Sequence, residues 1–156
     1  MVDFSNIEKV PSDWCQFFLM FSRMEFALKD FGFFRCIDKK RHAGADWHAF
    51  AKELPENFFD QIKGSGELAL MIEKPPKSQI VLSGKTLGWQ EYNGKIESTK
   101  ALFEAMKTVR NNLFHGGKNG YPDEGRDAQL IEACIHLMTK ALENHDGVRN
   151  AFERKY

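Results

Sequence analysis

Val109-Arg110-Asn111-Asn112-Leu113-Phe114-His115-Gly116-Gly117 decides how the rest of the chain is read. Its first six residues close a run from about Ile96 in which Leu102, Phe103, Met106, Val109 and Leu113 recur at three- and four-residue spacing. That period is helical, because side chains so spaced share one face and bury it together. Gly116 and Gly117 stop the helix, since a residue without a Cβ adopts the left-handed conformation that follows a helix end. The terminus so formed carries a cation, two amides and an imidazole.

Two other stretches have the same period. Asp13 with Gln16 reads as a capping box opening a helix that runs to about Phe31, with Trp14, Phe17, Phe18, Phe21, Met24, Leu28 and Phe31 on its apolar stripe and Gly32 as its stop. The run from about Asp127 to Glu143 places Leu130, Ile131, Cys134, Leu137, Met138, Ala141 and Leu142 inward, and a short helical tail follows Gly147. The connections are weaker in pattern. Arg35 to His42 reads as a basic, irregular link. Asp46 caps a short helix from Trp47 to Leu54, and Pro55 opens another to about Lys63. Gly64-Ser65-Gly66 is a break, and Pro75-Pro76 forbids a helix through that point. Ile80-Val81-Leu82 and Thr86 to Trp89 read as short strands or extended loop. Lys118 to Gly125 is a polar loop. No repeat or low-complexity segment interrupts the pattern. Three strong amphipathic helices with several short ones predict an all-α bundle, with a less regular insertion around 64–95.

Bulk composition narrows the class. At 156 residues, 42% apolar and 14 of them Phe, the chain suits one globular domain with a substantial core. Lys+Arg and Asp+Glu balance at 22 each, so overall charge gives no pull toward a polyanion and any nucleic-acid contact must be local. Cys15, Cys36 and Cys134 show neither a C-x-x-C pair nor a metal-type spacing, and read as reduced thiols. No basic-then-apolar leader opens the chain, and the longest apolar run, Phe17 to Phe21, is too short to span a bilayer. The expectation is a cytoplasmic protein with no membrane contact, no metal and no cofactor.

The chemistry lies in the opening stretch. Arg110 follows Met106 by four residues and Phe103 by seven, so it sits on the flank of an apolar face where an unpaired charge is costly. Glu25, equally out of place on the first helix's stripe, is the expected partner. Asn111 and His115 are four apart and share a face, about 40° from each other, so the amide can orient the imidazole. Arg110 and His115 are five apart, about 140° round an ideal helix. They meet if the helix distorts near Gly116, if the Arg curls round, or across a two-fold axis with a second copy. Together such groups suit phosphoryl chemistry. An imidazole takes the proton of a ribose 2′-hydroxyl or gives one to the 5′ leaving oxygen, and a guanidinium clamps the phosphate.

Arg110-Asn111 followed by His115, at the end of a helix in a small helical chain, resembles the HEPN superfamily. The pattern there is Arg, four to six residues, then His, with a polar residue directly after the Arg. Arg35 with His42 and Arg41 with His48 also fit the spacing, but Cys36 and His42 stand after those arginines in place of an amide or carboxylate, and neither pair has a long amphipathic helix beneath it. The resemblance implies a single HEPN-like domain over residues 1–156, of about four main helices. It implies a homodimer whose two motifs face each other. It further implies a metal-independent endoribonuclease leaving a 2′,3′-cyclic phosphate, with Arg110, Asn111 and His115 catalytic and Glu25 behind them. Proteins of this kind act as toxins or in anti-phage defence, so an antitoxin or defence-complex protein is an implied partner. Some carry a modifiable Tyr two residues after the His. Gly117 stands there instead, which removes that modification.

Lys39, Lys40 and Arg41, and Lys118 and Tyr121 beyond the glycines, are the candidates for RNA contact. Each also has a plain reading, as solvated surface and as connecting loop. The alternative for the whole is a non-catalytic HEPN-like dimerisation or nucleotide-binding module of a larger complex, in which Arg110 staples the bundle. A third reading is an unrelated helical scaffold.

Overall fold

The computed structural model describes residues 2, 10–114 and 124–154. The first helix, α1 (Ser12–Phe31), starts one residue before Asp13, with Pro11 at its N-terminal boundary and no side-chain cap. Asp13 accepts only the adjacent Trp14 N–H at 3.1 Å, so the expected capping box is not formed. The C-terminus is as expected. Gly32 has φ 113°, and its N–H and that of Phe33 return to the carbonyls of the last turn. Phe17, Phe21, Met24, Ala27 and Leu28 are buried along one side, while Phe18 and Phe31 are exposed.

The helices are joined by short strands that a purely helical bundle lacks. The basic link after α1 is a hairpin, β1 (Phe34–Cys36) against β2 (Ala43–Ala45), antiparallel with Arg35 opposite Gly44. Asp46 then caps α2 (Trp47–Glu53) by accepting the Ala49 N–H at 2.9 Å, as its position predicted. α3 (Phe58–Ile62) begins three residues after Pro55, because Glu56 and Asn57 form a turn first. α4 (Gly66–Glu73) occupies the start of the insertion and stops just short of Pro75. β3 (Ser78–Val81) and β4 (Leu87–Gln90) form a second antiparallel hairpin with Gln79 opposite Trp89.

The second half supplies the other long helices. α5 (Thr99–Phe114) buries Leu102, Phe103, Ala105, Met106, Val109 and also Asn112. α6 (Glu124–Glu143) buries all seven of the residues assigned to its inner face. α7 (Asp146–Glu153) closes the described chain, with the His145 ring nitrogen accepting the Val148 N–H at 3.2 Å. The protein is thus mostly helical, with two small sheets added.

Helix α1 lies against α6 and α7, α4 against α6, and α5 against α2 and α6. An aromatic seam runs through the middle. The Trp47 ring stands 5.3 Å from both Phe21 and Phe103, and Phe50 stacks on Phe103 at 5.7 Å. Such contacts add to area burial through ring–ring geometry. The seam fixes α2 between α1 and α5, which sets the distance between α1 and the end of α5 that bears Arg110.

Candidate functional site

Arg110 lies on α5 just before its last turn, four residues ahead of Phe114. Its Nη1 donates to the Asn111 side-chain oxygen at 3.0 Å. Its guanidinium carbon is 5.5 Å from the Phe21 ring centre on α1 and 5.3 Å from that of Phe114, one turn further along its own helix. Two aromatic faces and an amide therefore hold the group half-buried. None of these partners cancels its charge, and among the described residues no carboxylate is in ion-pair reach of it.

The structure does not deliver the expected pairing with Glu25. That carboxylate is on α1 as the periodicity said, but it accepts the Trp47 indole N–H at 3.4 Å. An indole N–H inside a bundle needs an acceptor, and Trp47 arrives from α2, an element whose packing partner periodicity alone does not reveal. Glu25 thus steadies the aromatic seam, and Phe21 meets the guanidinium in its place.

His115, Lys118 and Tyr121 lie outside the described residues. Lys39, Lys40 and Arg41 form the exposed tip of the β1–β2 hairpin. Asp38 organises that tip. Its carboxylate accepts the backbone N–H groups of Lys40 and His42 and pairs with the His42 ring. The His42 backbone N–H, chiefly, holds Asp38 below its ordinary value. Arg41 takes φ 65°, which lets the tip close. The hairpin leaves the far end of α1, about ten residues, or about 15 Å of helix, beyond Phe21. The fold does not cluster the basic tip with Arg110.

Two features near Arg110 were not expected. Asn112 is 9% exposed, and its amide donates to the Lys77 carbonyl at 2.8 Å, tying α5 to the foot of the β3–β4 hairpin. A signal existed: Leu102, Ala105, Val109 and Asn112 follow one another at three- and four-residue spacing, so Asn112 continues the buried stripe. The other feature is an apolar groove of about 530 Å³ beside the same helix end, lined by Trp14, Phe18, Leu19, Leu113 and Phe114 among others. The Phe18 and Phe114 rings meet there at 4.6 Å, and Leu19 is 66% exposed.

Among the described residues no group of three or more His, Cys, Asp or Glu side chains is placed to hold a metal ion. No described helix is long and apolar enough to cross a membrane. The chain matches no protein-family model, and comparison with curated proteins and with solved structures finds no match to it.

Proposed function

We propose that this protein is an endoribonuclease of the HEPN type, acting as a homodimer in which Arg110, Asn111 and His115 form the reacting centre. The observation that carries the reading is the setting of Arg110. Its guanidinium is held by an amide and two rings, half-buried, with no carboxylate in ion-pair reach among the described residues, five residues before an imidazole. A purely structural arginine at a bundle's flank would be expected on a carboxylate, and Glu25 is committed elsewhere. An oriented guanidinium is what a phosphate requires, because its fixed fork of N–H donors matches the non-bridging oxygens.

In this reaction the 2′-hydroxyl loses its proton to a base, and its oxygen bonds to the adjacent phosphorus. The bond to the 5′ oxygen breaks, and that oxygen takes a proton from an acid. The products are a 2′,3′-cyclic phosphate and a 5′-hydroxyl, and the chemistry calls for no divalent ion. His115 serves as the base or the acid, Arg110 stabilises the charge growing on the phosphate, and Asn111 holds Arg110. One imidazole does not easily serve both faces of an in-line displacement, which is the role of the second copy. The apolar groove ending at Phe114 gives that copy a surface directly beside the motif. A toxin or anti-phage role, restrained by an antitoxin or defence-complex protein, is the biological setting the resemblance suggests.

The test is cleavage of RNA in EDTA by the parent, His115→Ala and Arg110→Ala, with the product ends identified. Cyclic phosphate ends from the parent, and loss of about two to four orders of magnitude in rate in each variant, are expected. Parent-like cleavage by His115→Ala sinks the assignment.

One observation favours the second reading, a non-catalytic dimerisation or nucleotide-binding module. By touching Phe21, Arg110 ties α5 to α1, as a staple would. Under that reading the purified protein leaves RNA intact with or without metal, while Arg110→Ala loses stability.

A further inference from the structure

The chain carries no net charge, so ground of one sign has to be built locally. The fold builds such ground away from the motif. A cavity of about 630 Å³ opens where the β1–β2 hairpin, α2 and the first half of α5 meet, and Arg35, His48, Lys52, Lys100 and Lys107 line it. Arg35 comes from β1, His48 and Lys52 from α2, and Lys100 and Lys107 from α5. Separations of four and seven residues keep each helical pair on one face. Two carboxylates share the cavity, and each is already engaged. Asp46 accepts the Ala49 N–H as the cap of α2, and Glu104 pairs with Lys107 at 2.7 Å. Arg35, Lys52 and Lys100 are exposed, and among the described residues no carboxylate is in ion-pair reach of them. A lone exposed lysine is ordinary. Three unpaired cations drawn from three elements to one concave wall are different, because a cleft of one sign focuses its field and concentrates anions.

The positive ground has a direction. Toward α3 a neighbouring cavity shares His48, Lys52 and Lys100, but there Glu56, Asp60 and Glu97 match its three lysines. Toward the other end of α5, Lys107 is followed three residues on by Arg110, its neighbour on the helix surface. Lys100 and Arg110 are ten residues apart, about 15 Å of helix, or about four nucleotides at the roughly 3.4 Å rise of a stacked strand. A basic groove that tracks a backbone is how sequence-tolerant proteins hold a strand. We propose that this trough takes the phosphate backbone of an RNA strand, with Arg35, Lys52 and Lys100 on its phosphates, and leads it along α5 to Arg110. The trough deepens the ribonuclease reading and rests on it for what happens to the strand at Arg110. Phosphate contacts carry no sequence information, so the trough positions RNA without choosing among sequences.

The test is binding of a labelled single-stranded oligonucleotide of 2′-O-methyl ribonucleotides, which resists cleavage, over a range of salt. Lys52→Gln/Lys100→Gln should lower the salt slope by about 1.4, since each phosphate contact on a single strand is worth about 0.7, and weaken binding about twentyfold at about 0.1 M salt. Lys74→Gln/Lys85→Gln removes as much charge from exposed residues outside the trough and should change neither. Both double variants should melt with the parent, as surface substitutions do. In cleavage, Lys52→Gln/Lys100→Gln should raise KM for RNA with little change in kcat. A parent that binds no strand, an unaltered slope in Lys52→Gln/Lys100→Gln, or an equal loss in Lys74→Gln/Lys85→Gln overturns the trough. So does displacement of the strand by inorganic tripolyphosphate at equal concentration, the mark of a seat for a small polyphosphate. The expected slope change in a protein that cleaves nothing in EDTA keeps the trough and removes the nuclease. Cleavage with a KM indifferent to Lys52→Gln/Lys100→Gln keeps the nuclease and removes the trough.

Discussion

At the scale of single residues, Arg110 and Glu25 make separate predictions because the fold gives them separate partners. Removing one member of a buried ion pair costs about 3–5 kcal/mol. Removing a half-buried guanidinium that rests on two rings costs about 1–2 kcal/mol. Arg110→Ala should therefore lower the urea midpoint by the smaller amount with an unchanged slope, and Glu25→Gln, which still accepts the Trp47 N–H, should cost under about 1 kcal/mol. A loss above about 3 kcal/mol in both variants would show the two to be paired. Cys134 makes a second prediction. Burial pushes its thiol well above the ordinary range, whereas Cys15 and Cys36 are exposed. Native protein should react with a thiol reagent at two sites, and at a third only after unfolding. The sign of the pH effect follows. Below the ordinary thiol range both folded and unfolded chains keep the proton, and Cys134 adds no pH dependence. Above it only the unfolded chain ionises, so stability falls as pH rises. Cys134→Ala should flatten that alkaline decline in urea titrations, and an unaltered slope would exclude the thiol as its source.

At the scale of elements, what the sequence made legible divides along physical lines. The long helices were legible because burial of one face imposes a period, and the buried residues of α5 and α6 follow it. Gly32 and Asp46 were legible because their chemistry acts on the nearest backbone groups. The β1–β2 hairpin was not, since Phe34-Arg35-Cys36 is exposed at every residue and has no alternation to read. Glu25 was misassigned for another reason: a stripe says which side of a helix is buried, not which neighbour covers it. Asn111 was singled out for its place beside Arg110, while Asn112 was passed over although it continues the buried stripe, because the stripe does not say which carbonyl, here that of Lys77, a buried amide will reach. His145 gives the prediction proper to this scale. Its ring nitrogen caps α7, and its ring edges meet Phe31 at 5.0 Å and Phe33 at 5.6 Å. It thus joins the end of α1 to the start of α7. His145→Ala should cost about 1–2 kcal/mol through the lost cap, and more where the Phe rings lose their partner, while His145→Asn restores the cap alone. If Asn and Ala destabilise equally in thermal melts, the cap contributes nothing.

At the scale of the whole molecule, the balanced charge means that the proposed second copy would be recruited by shape and apolar area, not by a general field. The groove beside Arg110 meets that need. Trp14, Phe18, Leu19 and Phe114 expose apolar surface in one place, and Phe114 directly precedes His115 in the chain. Two such faces brought together would set the two motifs within one cleft, and the same contact would cover surface that a monomer leaves wet. Leu19 is the residue with which to break it, because it projects from α1 without supporting the core. Leu19→Glu should leave the melting temperature of a dilute, monomeric sample within about a degree or two, as surface substitutions usually do. In sedimentation it should convert dimer to monomer, since a buried unpaired carboxylate at each side of a two-fold contact is strongly unfavourable. Cleavage of RNA should fall with the dimer and return when protein concentration is raised far enough to force association. A parent protein that sediments as a monomer at every concentration and still cuts RNA in EDTA would show that one chain holds the whole reacting centre, and the two-fold arrangement would have to be abandoned.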